Sequence, residues 1–273
     1  MTEIPRHIMN DGREIPALGF GTYQVGEAET ATAIEMGYRL LDTALNYGNE
    51  PDVGRAILAA DVPRERLFVT TKVPGRHHGY DETIASLSES LGNLALEYVD
   101  LYLIHWPMPR LDLYVDSWKA MIDLREAGLA RSIGVSNFTI EHLTRLIEET
   151  GVVPAVNQVE LHPYFPQTEL RAFHVEHGIL TESWSPLGRG SDLLTSDVVN
   201  RVAGNHGVTP AQAVLRWHIE VGSVPIPRSR NTARQRENLD VFRFQLTERE
   251  ISDISALERG RLWGGDPDTN EEF

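Results

Sequence analysis

Polar side chains recur at nearly constant intervals along the first half of this chain, each just past a short apolar run. Asp42 closes Tyr38-Arg-Leu-Leu-Asp42, Lys72 follows Leu67-Phe-Val-Thr-Thr, His105 follows Val99-Asp-Leu-Tyr-Leu-Ile, and Ser136 follows a run at 131–135. The steps between them are 30, 33 and 31 residues. The stretches between the runs, such as Thr83 to Leu94, Tyr114 to Glu126 and Ile140 to Glu149, place apolar residues at helical spacing. The step is therefore one strand–helix unit, and the period is structural rather than a sequence repeat. Consecutive units of this kind build a parallel sheet.

Continuing the pattern gives eight expected strands, near 17–20, 38–42, 67–71, 99–104, 131–135, 154–158, 179–183 and 223–226. Thr209-Pro210 reads as an N-cap with proline at the first helical position, opening a helix over Ala211 to Glu220. Eight strand–helix units close naturally into a (β/α)8 TIM barrel. A doubly wound open sheet competes, but it usually carries a glycine-rich dinucleotide fingerprint. Gly19-Phe-Gly21 and Gly188-Arg-Gly190 both lack the third glycine. Ahead of the first barrel strand, residues 1–16 hold an N-terminal hairpin over 6–16, turned at Asn10-Asp-Gly12. Residues 260–273 form a C-terminal tail whose acidic end, Asp266 to Phe273, reads as mobile. No linker divides the 273 residues, so a single barrel domain over 1–273 is expected.

Composition narrows the partners. The net charge of −15 disfavours nucleic acid and anionic membrane surfaces, which need basic faces. The absence of cysteine excludes disulfides, thiolate metal sites and a thiol nucleophile, and suits the cytoplasm. No apolar stretch approaches the ~20 residues of a membrane span. His77-His78 and the pair His174 and His177 read as surface histidines, and no metal site is expected.

In a barrel, strand ends converge on one mouth. Asp42, Tyr47, Lys72 and His105 would meet there as a carboxylate, a phenol, an ammonium and an imidazole. Tyrosine ionises near ~10 in isolation, and a neighbouring ammonium lowers that value. A drop of two units takes ~2.7 kcal/mol of differential stabilisation. Lys72 is expected to supply it, Asp42 to keep Lys72 charged and oriented, and a neutral His105 to direct a carbonyl. The set is a proton donor beside a site for developing negative charge, and points to an enzyme.

These residues sit in longer motifs: Asp42-Thr-Ala-Leu-Asn-Tyr47-Gly-Asn-Glu50, Thr71-Lys72, Asp100-Leu-Tyr-Leu-Ile-His105-Trp-Pro, Gly134-Val-Ser-Asn-Phe138, Asn157-Gln158, Glu160 to Pro163 and Trp184-Ser-Pro-Leu-Gly188. From the hairpin to about residue 260 the chain resembles the aldo-keto reductases, in particular a bacterial, 2,5-diketo-gluconate-reductase-like branch. The resemblance implies a barrel plugged below by the hairpin, and reduction of small carbonyls, α-dicarbonyls or keto sugars. It also implies NADPH as cofactor, with NADH weaker, and a monomer. By that pattern Tyr47 is the general acid, Lys72 and Asp42 tune it and His105 orients the carbonyl.

A hydride has to come from a nicotinamide, since no side chain supplies one. Trp184 is placed to stack on its ring, and Ser136, Asn137 and Gln158 to bind its carboxamide. Four arginines, Arg228, Arg230, Arg234 and Arg236, fall within nine residues of an otherwise acidic chain, after Val224-Pro-Ile-Pro227. Guanidinium forks match phosphate oxygens. The competing reading is a solvated helix face paired with Glu237 and Asp240. By the resemblance, Arg228, Ser229, Arg230, Arg234, Glu237 and Asn238 take the adenosine 2′-phosphate and adenine. Gly21, Thr22, Asp42, Ser185, Leu187 and Ile226 complete the expected cofactor track. The usual Pro-Lys-Ser of the family is Pro227-Arg228-Ser229 here, which keeps the charge and leaves the margin of NADPH over NADH open. On the substrate side, Tyr23, Trp106 and Trp263 join Tyr47 and His105. Two other readings remain: a Schiff base on Lys72, as in a barrel aldolase, and a reductase-like protein that senses cofactor without turnover.

Overall fold

The structure, a computed structural model, describes residues 4–272. Residues 1–3 and Phe273, parts of the expected hairpin segment and tail, lie outside them. Strands β1 (Arg6–Ile8) and β2 (Glu14–Pro16) pair antiparallel as the hairpin. Eight parallel strands follow in sequence order: β3 (Phe20–Gly21), β4 (Leu40–Asp42), β5 (Phe68–Val73), β6 (Val99–Ile104), β7 (Ala130–Ser136), β8 (Val156–Glu160), β9 (Leu180–Trp184) and β10 (Ser223–Pro225). Two hydrogen bonds, Gly19 N–H to Pro225 O at 3.0 Å and Gly21 N–H to Pro227 O at 3.1 Å, join the last strand to the first. The (β/α)8 barrel is thereby closed.

The helices α1 (Glu27–Met36), α2 (Glu50–Ala59), α3 (Tyr80–Leu94), α4 (Tyr114–Glu126), α5 (Ile140–Thr150), α6 (Thr168–His177), α7 (Asp197–His206), α8 (Pro210–Glu220), α9 (Thr232–Leu239) and α10 (Glu248–Ser255) come between and after the strands. Thr209 caps α8 as its sequence suggests: its hydroxyl accepts from Gln212 N–H, and the Gln212 side chain reciprocates. The first barrel strand is shorter and later than expected. Residues 17–19 are irregular, and only Phe20–Gly21 pairs as a strand with β4.

Side chains alternate across each strand, so every second residue faces the barrel interior. Near the strands' starts those positions are apolar: Leu40, Phe68, Leu101, Val156, Leu180 and Val224. Met9 and Ile15 of the hairpin pack into the same cluster, so the hairpin stoppers the barrel's lower end. Near the strands' ends the same faces turn polar: Asp42, Lys72, Gln158 and Glu182. The opposite faces meet the helices in a large core that includes Leu41, Val69, Tyr102, Ile133, Val135, Trp118 and Trp217. Burying side chains of that size gains about 1.5–3 kcal/mol each.

Two histidine expectations fail. His78 and His174 are buried rather than superficial. His174 hydrogen-bonds Asn157 and Thr181 at 3.0 and 2.8 Å, so α6 docks on the barrel through a polar residue on its inner face. The tail is also not free. Arg110 pairs with Glu271 at 3.0 Å, Asp268 lies 3.5 Å from His142 Nε2, and the backbone N–H groups of Leu262 and Trp263 both donate to the buried Glu160.

Candidate active site

Strand ends and one short turn bring the expected residues together. Asp42 ends β4, and the chain then forms a single 3-10 turn, Leu45–Tyr47, stopped by Gly48 in the left-handed conformation at φ 68°. That turn carries the Tyr47 ring back over the mouth. Lys72, on β5 beside β4, is completely buried and Asp42 is 4% exposed. Lys72 Nζ donates to Asp42 Oδ1 at 2.7 Å and to the Thr43 carbonyl at 2.9 Å, and lies 3.5 Å from the Tyr47 hydroxyl. A buried ammonium with these partners has its charge matched and its protons placed. Burial works against its charge, but Asp42 and its neighbours outweigh it and hold the ammonium up to about 12.

The phenol moves opposite to the sequence expectation. Burial pushes Tyr47 up to about 12, more than the Lys72 cation pulls it down, with Asp42 and Glu272 opposing that pull. Sequence shows that a cation is near and does not show how deeply the hydroxyl is enclosed. Tyr47 is therefore a phenol that keeps its proton at neutral pH.

His105 follows β6, with its ring 5.8 Å from that of Tyr47. Its Nδ1 lies 2.7 Å from Glu272 Oε1, at ion-pair distance, with the oxygen off the line of an Nδ1–H bond. The same carboxylate accepts from Asn46 Nδ2 at 2.8 Å and from Gly75 N–H at 3.4 Å. Burial works to raise Glu272, but His105, Asn46 and Gly75 together hold it below its usual value. Neither Glu272 nor Asn46 stood out in the sequence.

On the far side of Lys72, Gln158 Nε2 donates to Asp42 Oδ2 at 2.8 Å and to Glu182 Oε2 at 3.0 Å. Glu182 is fully buried, and burial with the adjacent Asp42 charge pushes its carboxyl up to about 8. Its signal was a charged residue in the middle of a barrel strand, Thr181-Glu182-Ser183. Asn137, at a positive φ of 64°, donates to the His105 carbonyl and accepts from Trp184 Nε1 at 2.8 Å. Ser136 Oγ donates to the Gln158 carbonyl at 2.7 Å. Thr22 Oγ1 donates to the Asp42 carbonyl at 2.9 Å.

Three aromatic rings lie beside members of this cluster. Tyr23 is half-exposed, edge-on to Tyr47 with centroids 5.1 Å apart. Trp106 is buried next to His105, and Trp263, from the tail, stands edge-on to Trp184 at 6.2 Å and under the Arg189 guanidinium.

A cavity of about 630 Å³ lies past the end of β10. Its walls include Gln24, Leu187, Arg228, Ser229, Arg230, Arg234, Glu237 and Asn238. Arg228 Nη1 contacts the Tyr23 carbonyl at 3.3 Å and Arg230 Nε the Gln24 carbonyl at 2.6 Å. The pairing with Glu237 and Asp240 that the competing reading required does not occur. Glu237 accepts from Thr209 at 2.6 Å and Asp240 pairs with Arg243 at 3.0 Å. Among the described residues, Arg228, Arg230, Arg234 and Arg236 have no carboxylate partner. Unpaired guanidinium groups around a cavity suit a phosphate-bearing ligand. Ile226 and Gly21 lie between this cavity and the mouth, where a side chain on Gly21 would press on the Ile226 carbonyl. Ser185, at a positive φ of 51°, turns the chain from Trp184 towards Leu187.

A model of the Aldo/keto reductase family matches residues 17–259. The chain is 58% identical over 277 residues to 2,5-diketo-D-gluconic acid reductase B of Corynebacterium sp., covering 100% of both chains. It is 47% identical over 265 residues to methylglyoxal reductase of Escherichia coli, covering 95% of this chain and 96% of the other. Among solved structures, a Gox0644 variant in complex with NADPH superposes with a TM-score of 0.94 at 42% identity, over 99% of this chain and 100% of that one. An aldo/keto reductase from Brucella melitensis gives 0.90 at 46% identity, over 93% and 100%.

Proposed function

The chain belongs to the aldo/keto reductase family, and on that premise we propose how its own residues divide the work. It is an NADP-dependent oxidoreductase that reduces aldehydes and ketones to alcohols. Bound NADPH supplies the hydride that becomes the new C–H bond of the alcohol. Tyr47 gives its hydroxyl proton to the carbonyl oxygen as that oxygen gains charge, and recovers a proton from solvent afterwards. Lys72, fixed by Asp42, stabilises the phenolate left behind. His105 directs the carbonyl towards Tyr47.

The arginine-lined cavity fits the cofactor's 2′-phosphate and adenine, through Arg228, Ser229, Arg230, Arg234, Glu237 and Asn238. Trp184, Ser136, Asn137 and Gln158 serve the nicotinamide, and Gly21, Thr22, Ser185, Leu187 and Ile226 the stretch between. Tyr23, Trp106 and Trp263 form the wall of the substrate pocket, which takes small carbonyls, α-dicarbonyls or keto sugars. The hairpin, barrel and tail act as one domain. With its net charge of −15, the protein works in the cytoplasm as a monomer, without nucleic-acid or membrane partners. No helix among the described residues is long and apolar enough to cross a membrane.

The contact that carries this reading is the row Asp42–Lys72–Tyr47, with its 2.7 and 3.5 Å spacings. It also disfavours a Schiff-base lysine: an ammonium held up to about 12 by a carboxylate has no free lone pair. A pure cofactor sensor needs no such row. The test is NADPH oxidation with methylglyoxal, a keto sugar acid and simple aldehydes, run in parallel with NADH. Turnover that prefers NADPH supports the reading; no oxidation of either cofactor across the panel contradicts it.

A further inference from the structure

Glu182 has no part in proton or hydride transfer, yet it is a buried acid joined to the catalytic row through one amide. Gln158 Nε2 spans 2.8 Å to Asp42 Oδ2 and 3.0 Å to Glu182 Oε2, using both of its hydrogens. The orientation of that amide is forced, because turning it over would set its oxygen against the Asp42 carboxylate. The outcome is an amide oxygen, Oε1, with no hydrogen-bond partner among the described residues, on a residue that keeps 2% of its surface exposed. Registration explains the geometry: Gln158 and Glu182 are directly paired across β8 and β9, so their side chains share the inner face at one level.

We propose that Glu182 is a positioning residue: with Asp42 it clamps the Gln158 amide so that Oε1 is presented as the acceptor for the carboxamide N–H of the nicotinamide. The proposal rests on the cofactor reading above. It assigns a role to a carboxyl that would otherwise be an unexplained cost in the barrel, since a buried carboxylate is unfavourable unless its oxygens are bonded. Glu182 Oε1 has no partner among the described residues, which favours a neutral carboxylic acid with its proton there and Oε2 free to accept from Gln158.

The charged groups facing Glu182 are Asp42 on β4 and Lys72 on β5. The residues level with it on the flanking strands, Gln158 and Val224, do not titrate. Burial and Asp42 place its ionisation at about 8. A second consequence follows from charge alone. Above that pH a negative charge appears beneath the nicotinamide subsite, and it favours the cationic ring of NADP⁺ over the neutral ring of NADPH.

The test compares binding, by intrinsic fluorescence, of NADPH, NADP⁺ and 2′-phospho-ADP-ribose, which lacks the nicotinamide. Wild type, Glu182→Leu and Glu182→Gln are titrated from pH 6.5 to 9.5. Glu182→Leu breaks the clamp and should weaken NADPH about tenfold while leaving the fragment unchanged. Glu182→Gln can still accept from Gln158 and should keep NADPH affinity near wild type at pH 7. In wild type the preference for NADP⁺ over NADPH should rise as pH passes about 8, and in Glu182→Gln it should stay flat. Should Glu182→Leu fail to fold, Glu182→Ala, which also lacks the acceptor, takes its place. Equal losses for NADPH and the fragment, or unchanged NADPH affinity in the variant that lacks the acceptor, would overturn the clamp. Wild type that binds none of the three ligands would instead sink the cofactor reading on which the clamp rests.

Discussion

The mouth of the barrel and the arginine rim beyond β10 handle charge in opposite ways. At the mouth, Asp42 and Lys72 are buried and neutralise each other at 2.7 Å, and the second Asp42 oxygen and the other Lys72 protons have protein partners. At the rim, Arg228, Arg230, Arg234 and Arg236 have no carboxylate partner among the described residues, and the first three line a cavity. A charge that must live inside a protein has to be paired internally. A charge left unpaired on the surface is available to something from outside. On the proposed function, the mouth serves chemistry on a neutral group and the rim holds an anion.

The contrast predicts different penalties. Lys72→Met leaves the Asp42 carboxylate buried without its cation, so it should cost about 3–5 kcal/mol of stability as well as nearly all turnover, read by thermal unfolding and NADPH oxidation. Loss of turnover with unchanged stability would mean that the pair is not as enclosed as the contacts indicate.

At the rim, the double change Arg228→Ala and Arg234→Ala should shift stability by less than about 0.5 kcal/mol. It should weaken NADPH binding roughly tenfold or more and leave NADH nearly unchanged, as titrations of both cofactors would read. Equal weakening of both would move the 2′-phosphate away from these arginines. The same titrations in rising salt should weaken NADPH in wild type and much less in the double variant, because exposed charges are screened and buried pairs are not.

Acidity probes the interior. His78 is held down to about 4, and His174 and His218 to about 3, all chiefly by burial. Each is neutral in the folded chain and has an ordinary value of 6.5 when unfolded. Their contribution is therefore full above 6.5 and is lost as pH falls towards 3. The melting temperature should drop steadily below pH 6.5, and His174→Asn should soften the drop. A flat profile down to pH 4 would show that these rings are hydrated. The smallest effect belongs to the tail: Glu272→Gln should change stability by under about 1 kcal/mol and alter KM more than NADPH affinity, since its carboxylate touches His105 and lies away from the rim.

The regular part of this molecule was legible because it depends on local period. The apolar runs before Asp42, Lys72 and His105 gave their strands to within a few residues, and Thr209-Pro210 gave the start of α8. What escaped depends on depth and on distant contacts. The phenol of Tyr47 sits beside its cation as its spacing suggested, yet its acidity moves the other way because enclosure outweighs that cation. Composition made Asp266 to Phe273 read as a solvated tail, whereas Glu272 finds His105, Asn46 and Gly75, partners 160 to 230 positions away that no local pattern reveals. Glu182 was visible only as an oddity, a carboxyl inside a strand, and its bond to Gln158 needed the register of β8 on β9.

The most direct test is a single turnover with Tyr47→Phe, loaded with NADPH and mixed with methylglyoxal. Removing one oxygen leaves the rim and the Asp42–Lys72 pair untouched, so NADPH should bind within about twofold of wild type while its oxidation slows by roughly 10²–10⁴. Oxidation at the wild-type rate in that variant would contradict the assignment of the proton to Tyr47, and with it the account of the mouth.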